Sequence, residues 1–184
     1  MYGLVNVAVH DLVVSRFGAP AWEQIKQKAG ILLEAFSSME QYPDEVTFRL
    51  VRAASEVLGI STDEVMRAFG EHWVLYTGRG AYGQLFNMAG NSLKDFLFNL
   101  DALHTRVGQN FEHLEPPSFR FDTLNERTIR MHYHSSRKGL CPLVGGLITG
   151  LSARFATYVD VEHPVCSRRG AEHCEFLLTF PSDD

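Results

Sequence analysis

A chain of 184 residues, 45% hydrophobic and 21% charged, is long enough for one globular domain that encloses a cofactor. Its net charge of −5 and lack of a basic run exclude a general attraction to nucleic acid. No apolar stretch reaches the roughly 18 residues of a membrane span, Asp11 interrupts the N-terminal apolar run, and three cysteines cannot form a fully paired disulfide framework, so neither membrane nor secretion is expected and the expected setting is cytoplasmic.

The N-terminal half reads as helical. Leu4, Val5, Ala8, Val9, Leu12 and Val13 recur at helical spacing over residues 3–17, with Gly18 and Pro20 as the stop. A short helix follows from Ala21 to Lys28, residues 31–42 carry no clear pattern, and another helix runs from about Pro43 to Leu58 with Gly59 as its cap. Ser61-Thr62-Asp63-Glu64 matches a capping box, and the helix it opens presents Val65, Phe69, Trp73 and Tyr76 before Gly78 and Gly80 break it. A short helix over 81–89 precedes Gly90-Asn91-Ser92. The next helix is predicted from Leu93 to Val107, with a stripe of Leu93, Phe96, Leu97, Leu100 and Leu103. His104 lies eleven residues after Leu93, which at about 100° per residue points it into the core with the stripe.

After Pro116-Pro117 the pattern changes to strands at Ser118 to Asp122 and Thr128 to His134, joined by a turn at Asn125-Glu126. Cys141 to Phe155 reads as a helix that tolerates Pro142 in its first turn. Gly145, Gly146 and Gly150 weaken that helix, which implies a close neighbour. Tyr158 to Val165 and Cys174 to Phe180 form a final hairpin. The class is α+β: a helical part followed by a small antiparallel sheet carrying a helix.

Two groups of side chains carry chemistry. On an extended strand Tyr133, Ser135 and Arg137 share one face at about 7 Å per two-residue step. Two hydroxyls and a planar guanidinium suit a carboxylate, although a plain solvated strand face has the same spacing. His104 on an apolar helix face is either a core histidine or an axial ligand for haem iron. Cys141, His163, Cys166 and Cys174 form the second group, and four such donors suit a tetrahedral zinc ion. Isolated thiols are the alternative, and His173 is a rival fourth ligand.

The pattern Tyr133-x-Ser135-x-Arg137, the opening Met1-Tyr2-Gly3, His104 on its helix and the following Pro116-Pro117 resemble the haem nitric oxide/oxygen-binding (H-NOX) family, the sensor module related to soluble guanylate cyclase. The resemblance covers essentially all of the chain. It implies a single domain over 1–184, with a distal helical part to about residue 60 and a proximal mixed part beyond. It implies haem b with His104 on the iron, the propionates held by Tyr133, Ser135 and Arg137, and Pro117 pressing on the porphyrin. No Cys-x-x-Cys-His occurs, so thioether links are not expected. The oxygen-binding members carry a distal tyrosine; here that position falls on Leu143, with Val5, Val9, Trp73 and Leu147 as further haem contacts. An apolar distal side implies nitric oxide and carbon monoxide as ligands rather than oxygen, unless Tyr2 or Tyr76 reaches the pocket. Nitric oxide is then expected to weaken the bond between iron and His104 and release the helix that bears it. The thiol group resembles that of the zinc-bearing bacterial subgroup, with redox sensing as a second role.

No kinase or cyclase segment accompanies the sensor, so the expected partner is a separate histidine kinase or cyclic-di-GMP enzyme. The Cys141 helix and the Cys166…Cys174-Glu175-Phe176 tail also resemble a vinyl-reductase-type zinc domain, a haem-free alternative. An enzyme would need acid–base groups such as His10, His113, His132 and His134, but no nucleophile elbow or phosphate loop accompanies them, and a non-catalytic protein is expected. For His132 and His134 the expected setting is exposed surface.

Overall fold

The computed structural model describes residues 1–78, 83–109, 111 and 114–181. Four helices open the chain: α1 (Gly3–Phe17), α2 (Ala19–Lys28), α3 (Asp44–Leu58) and α4 (Thr62–Thr77). Pro20 does not extend the stop after α1; it sits in the first turn of α2, where its missing N–H costs nothing. Pro43 is the N-cap of α3 rather than its first residue, and Gly59 closes that helix at φ 69°, a left-handed backbone that glycine adopts without strain. The capping box is present: the Ser61 hydroxyl accepts from the Glu64 N–H at 3.2 Å, and the Ser61 N–H donates to the Glu64 carboxylate at 2.8 Å.

These helices enclose one apolar core built from Ala8, Val9, Leu12, Ile25, Leu50, Val65 and Phe69 among others. Leu50 and Ile25 are fully buried, and each contributes about 1.5–3 kcal/mol by removal from water. Asn6 and Thr47 are buried in the same core, and the Thr47 hydroxyl donates to Asn6 Oδ1 at 2.7 Å, which ties α1 to α3.

The second half begins with α5 (Gly83–Met88), α6 (Leu93–Phe98) and α7 (Leu100–Gly108). Residues 79–82, where Gly80 and the start of the expected short helix fall, and His113 lie outside the described residues. The expected continuous helix over 93–107 is broken at Asn99 (φ −93°, ψ 4°), whose side-chain amide donates to the Ala89 carbonyl at 2.9 Å. Asparagine competes well for such local backbone bonds, so the helix divides there. Leu93, Phe96 and Leu97 on α6 are buried, but no residue of α7 is, and His104 is half-buried beside Leu100 and Leu103 rather than deep with Leu93.

Strands β1 (Ser118–Thr123), β2 (Thr128–His134), β3 (Asp160–Val165) and β4 (Cys174–Thr179) form an antiparallel sheet in the order β1-β2-β4-β3. Side-chain alternation sends Ile129, Met131 and Tyr133 inward opposite Leu178, Phe176 and Cys174. The turn before β2 is held by Asn125 Oδ1, which accepts from the N–H groups of Arg127 and Thr128.

Helix α8 (Cys141–Arg154) joins β2 to β3 and packs its apolar side, including Val144, Ile148 and Leu151, into the second core. Its glycines explain the crossing with α4. A Cβ on Gly146 would lie 2.0 Å from the Arg67 carbonyl oxygen, and one on Gly150 would lie 2.9 Å from that of Glu71. Gly70 of α4 answers them, since its own Cβ would meet the Leu143 carbonyl oxygen at 2.3 Å. Gly145, expected to share this contact, faces open space. No helix among the described residues is long and apolar enough to cross a membrane.

Candidate functional site

His104 stands on α7 with its ring 5.8 Å from Phe119, and Phe119 lies 5.5 Å from Tyr133. Burial holds the imidazole below its ordinary value of 6.5; the Asp101 carboxylate and the Pro117 carbonyl favour the charged ring but do not offset burial. The ring is therefore neutral, the form that binds iron. Its enclosed Nδ1 has no hydrogen-bond partner of normal geometry among the described residues. Asp101, one turn earlier, accepts from the Phe119 N–H at 3.0 Å and ties α7 to β1.

Tyr133, Ser135 and Arg137 do come together, but not by strand alternation. β2 ends at His134, and the Ser135 hydroxyl accepts from the Arg137 N–H at 3.1 Å in a serine turn. The three residues line a cleft of about 250 Å³ with Lys138 and His173. Arg137 Nε donates to Asp44 Oδ2 at 2.7 Å, and its Nη1 donates to the Glu115 carbonyl at 2.8 Å. Asp44 also accepts from the Met1 ammonium at 2.6 Å. Burial would raise the Asp44 carboxyl, but the hydrogen bonds from Met1 and Arg137 outweigh it and hold the group below its usual 3.8. Burial raises the Tyr133 phenol, against the Ser135 hydroxyl beside it.

This donor set fits a haem. A neutral histidine suits the iron, and a guanidinium with two hydroxyls suits the carboxylates at the rim. His104 and Pro117 do not line the clamp cleft. Leu100, Leu103 and Leu147 are partly buried against the sheet core, and Val5, Trp73 and Leu143 against the helical core. Val9 is buried within the helical core. Tyr76 stands beside Trp73, ring centres 6.4 Å apart, and Tyr2 packs edge-on against Phe111 at 4.8 Å.

The thiol group assembles as a buried cluster. Cys141, His163, Cys166 and Cys174 bring their donor atoms within 4.8 Å of one another, whereas His173 belongs to a different group. Pro164 keeps β3 at the sheet edge, and a register shift between Glu162 and Val165 accompanies the turn of His163 towards the thiols. Its ring stacks on Phe176 at 4.2 Å, and its Nε2 is enclosed without a hydrogen-bond partner. The cysteines are free, with Cys141 and Cys166 sulfurs 3.7 Å apart. Burial pushes the Cys141 thiol up to about 12. For Cys166 burial also acts upward, but the Arg168 backbone N–H, the Cys141 and Cys174 thiols and the Arg169 backbone N–H together prevail and hold it below 9.0; Arg168 and Arg169 lie in a 3-10 turn, Ser167–Arg169. The Ser167 N–H donates to Cys174 Sγ at 3.3 Å. Three sulfurs, one orphaned imidazole nitrogen and a ring of N–H donors fit a tetrahedral soft-metal site.

Of the histidines offered for acid–base work, the described ones are His10, His132 and His134. His10 packs against Trp22, and His132 and His134 lie on the outer sheet face, half-buried rather than exposed. There His132 contacts His173 and Glu175, a group the sequence left unnoticed because 41 residues separate the two histidines.

Comparison with known proteins bears on this arrangement. The Haem-NO-binding family matches residues 2–163. Soluble guanylate cyclase gcy-35 of Caenorhabditis elegans is 31% identical over 183 residues, 97% of this chain and 26% of its own length. The guanylate cyclase soluble subunit beta-2 of Rattus norvegicus is 28% identical over 122 residues, 63% of this chain and 18% of its own. The chain thus spans about a quarter or less of these curated relatives. Among solved structures, an H-NOX protein from S. oneidensis in the Fe(II) ligation state superposes with a TM-score of 0.91 at 22% identity, covering 100% of this chain and 98% of that one. An Fe(II) unliganded H-NOX protein from K. algicida gives 0.84 at 19% identity, covering 100% and 98%. With the family matched over most of its length and the fold shared with H-NOX proteins, the chain belongs to the Haem-NO-binding family.

Proposed function

We propose that this chain is a gas-sensing module that holds haem b through His104, takes nitric oxide and carbon monoxide, and regulates a separate signalling protein in the cytoplasm. The observation that carries the reading is the neutral His104 with its enclosed, unpartnered nitrogen, in one fold with the Tyr133, Ser135 and Arg137 clamp. Similar folds support the ligand choice: H-NOX structures from S. oneidensis are described in Fe(II)NO and Fe(II)CO ligation states. Bound haem supplies a ferrous centre open to a diatomic gas. Val5, Val9, Leu143 and Leu147 offer that gas no hydrogen-bond donor, and Trp73 offers an indole N–H but no phenol, which favours nitric oxide over oxygen. Pro117 and His104 approach from the α7 side, and residues to about 60 form the distal part.

His104 is the link between gas and output. While it is held, α7 is anchored at His104, at Asp101 and by the partial burial of Leu100 and Leu103; once it is free, the Asp101 bond and that packing remain. A ligand moves this equilibrium by its different affinity for the two positions. The output is non-catalytic within this chain and passes to a histidine kinase or cyclic-di-GMP enzyme. A zinc ion in the Cys141, His163, Cys166, Cys174 cluster completes the reading and aligns the chain with the zinc-bearing bacterial subgroup. Oxidation of those thiolates is a second input.

The test is the absorption spectrum of reduced protein before and after nitric oxide, and then in air. A haem spectrum that shifts with nitric oxide and forms no lasting oxygen complex supports the reading. A lasting change in air, abolished by Tyr76→Phe, would overturn the ligand choice. No haem after reconstitution would favour the haem-free vinyl-reductase-type alternative.

A further inference from the structure

The outer face of the sheet carries a group that the sensor reading does not use. His132 on β2 stands opposite Glu175 on β4 in the sheet register. His173, in the turn before β4, closes on both. His132 Nδ1 lies 3.0 Å from His173 Nε2 and 3.7 Å from Glu175 Oε1, and His173 Nε2 lies 3.5 Å from the same oxygen. A tetrahedral ion with bonds of about 2.0–2.1 Å spaces its ligands roughly 3.3–3.4 Å apart. The three separations bracket that value, so one ion reaches all three atoms with little movement.

The surroundings are arranged as ligands require. His132 Nε2 lies 2.9 Å from Asp122 Oδ2. With its proton on Nε2, donated to that carboxylate, His132 keeps the lone pair of Nδ1 for the centre of the triangle. A carboxylate behind the far nitrogen is the usual partner of a metal-bound histidine. The His173 ring is stacked on His134 at 4.3 Å and 20°, which sets its plane. Arg130 approaches the other oxygen, Glu175 Oε2, at 3.5 Å and leaves Oε1 facing the rings. The side chains of His132, His173 and Glu175 are 18%, 23% and 20% exposed, so water can complete the coordination.

We propose that His132, His173 and Glu175 form a binding site for a first-row divalent ion such as Zn²⁺, separate from the thiol cluster. Two imidazoles and a carboxylate with an open position suit Zn²⁺, Ni²⁺ or Cu²⁺ and not Mg²⁺ or Ca²⁺. The site exchanges its ion readily because it is open, whereas the thiol cluster is closed. Cys174 faces inward between His173 and Glu175, so one short segment serves both sites on opposite faces of the sheet.

The test is calorimetric titration of the full haem-loaded protein with Zn²⁺ at pH 7.5, with metal content checked after gel filtration. Wild type takes up one equivalent more than His132→Gln or Glu175→Gln, whatever the thiol cluster holds. Each variant weakens this step by more than about tenfold. Asp122→Asn, which only positions His132, weakens it less, leaves the metal-free Tm unchanged, and is rescued by Asp122→Glu. Equal Zn²⁺ uptake by wild type and by a folded His132→Gln, His173→Gln double variant would overturn the proposal. So would a site that takes Mg²⁺ as strongly as Zn²⁺.

Discussion

Helices α7 and α8 are held in opposite ways. α8 is gripped by α4 through Gly70, Gly146 and Gly150, where backbones approach too closely for a side chain. α7 buries none of its nine residues and is pinned mainly through Asp101 to β1, with a break at Asn99 behind it. In the proposed sensor α8 would be the frame and α7 the lever, because a small change at one ligand is amplified only when a loosely held element moves against a rigid one.

The comparison breaks most visibly at the frame. Gly146→Ala is expected to cost about 3 kcal/mol in a urea melt, since the added methyl meets the Arg67 backbone and neither helix can shift alone. Gly145→Ala on the same helix faces open space and is expected to be neutral or stabilising by about 0.5–1 kcal/mol. If the two variants melted alike, the tight α4–α8 contact would not be the frame.

Asp101→Ala tests the lever's pin. It leaves the Phe119 N–H without its charged acceptor and is expected to cost about 1.5–3 kcal/mol, with faster amide exchange along β1. Unchanged exchange at Phe119 would place the anchor of α7 elsewhere.

Acid acts on the clamp that joins the two halves. The Asp44 carboxyl is held below 3.8 in the folded chain, so in acid the unfolded chain binds the proton first. Its contribution is fully present above about pH 4 and is lost as pH falls through the folded value. Asp44→Asn should remove this acid-sensitive part. At pH 7 it should cost no more than about 1 kcal/mol, since the carboxylate is 36% exposed and well screened. An acid melt identical to wild type would show that Asp44 does not hold Arg137 in solution.

The smallest effect is expected at the residue with the largest functional one. His104→Gly in haem-free protein should change stability by less than about 1 kcal/mol, because α7 is weakly packed and Nδ1 forms no hydrogen bond there. Haem uptake, followed by absorption, should fall sharply and recover with added imidazole. A large loss of stability without haem would make His104 a core residue.

Much of this was legible in the chain. The capping box at Ser61, the alternation of Ile129, Met131 and Tyr133, and the glycine-weakened α8 are local patterns, and each appears where its spacing requires. Less legible were the features where side chains compete for backbone groups. Asn99 breaks a helix whose apolar stripe runs on, and Ser135 turns the chain where β-alternation predicted a strand. Periodicity reports which face is apolar and says little about a single amide or hydroxyl that captures a nearby N–H or carbonyl.

The sequence by itself determined the class of the fold, the positions of its helices and strands to within a few residues, and the donor types available to a haem and a soft metal. Those follow from local geometry and from what each side chain can bond. Tertiary structure alone decided that His163 joins the thiols while His173 turns to His132 and Glu175. It also decided that Arg137 shares Asp44 with the N-terminus. These contacts span up to 93 residues, and they are set by sheet register and helix crossing, which no local pattern encodes.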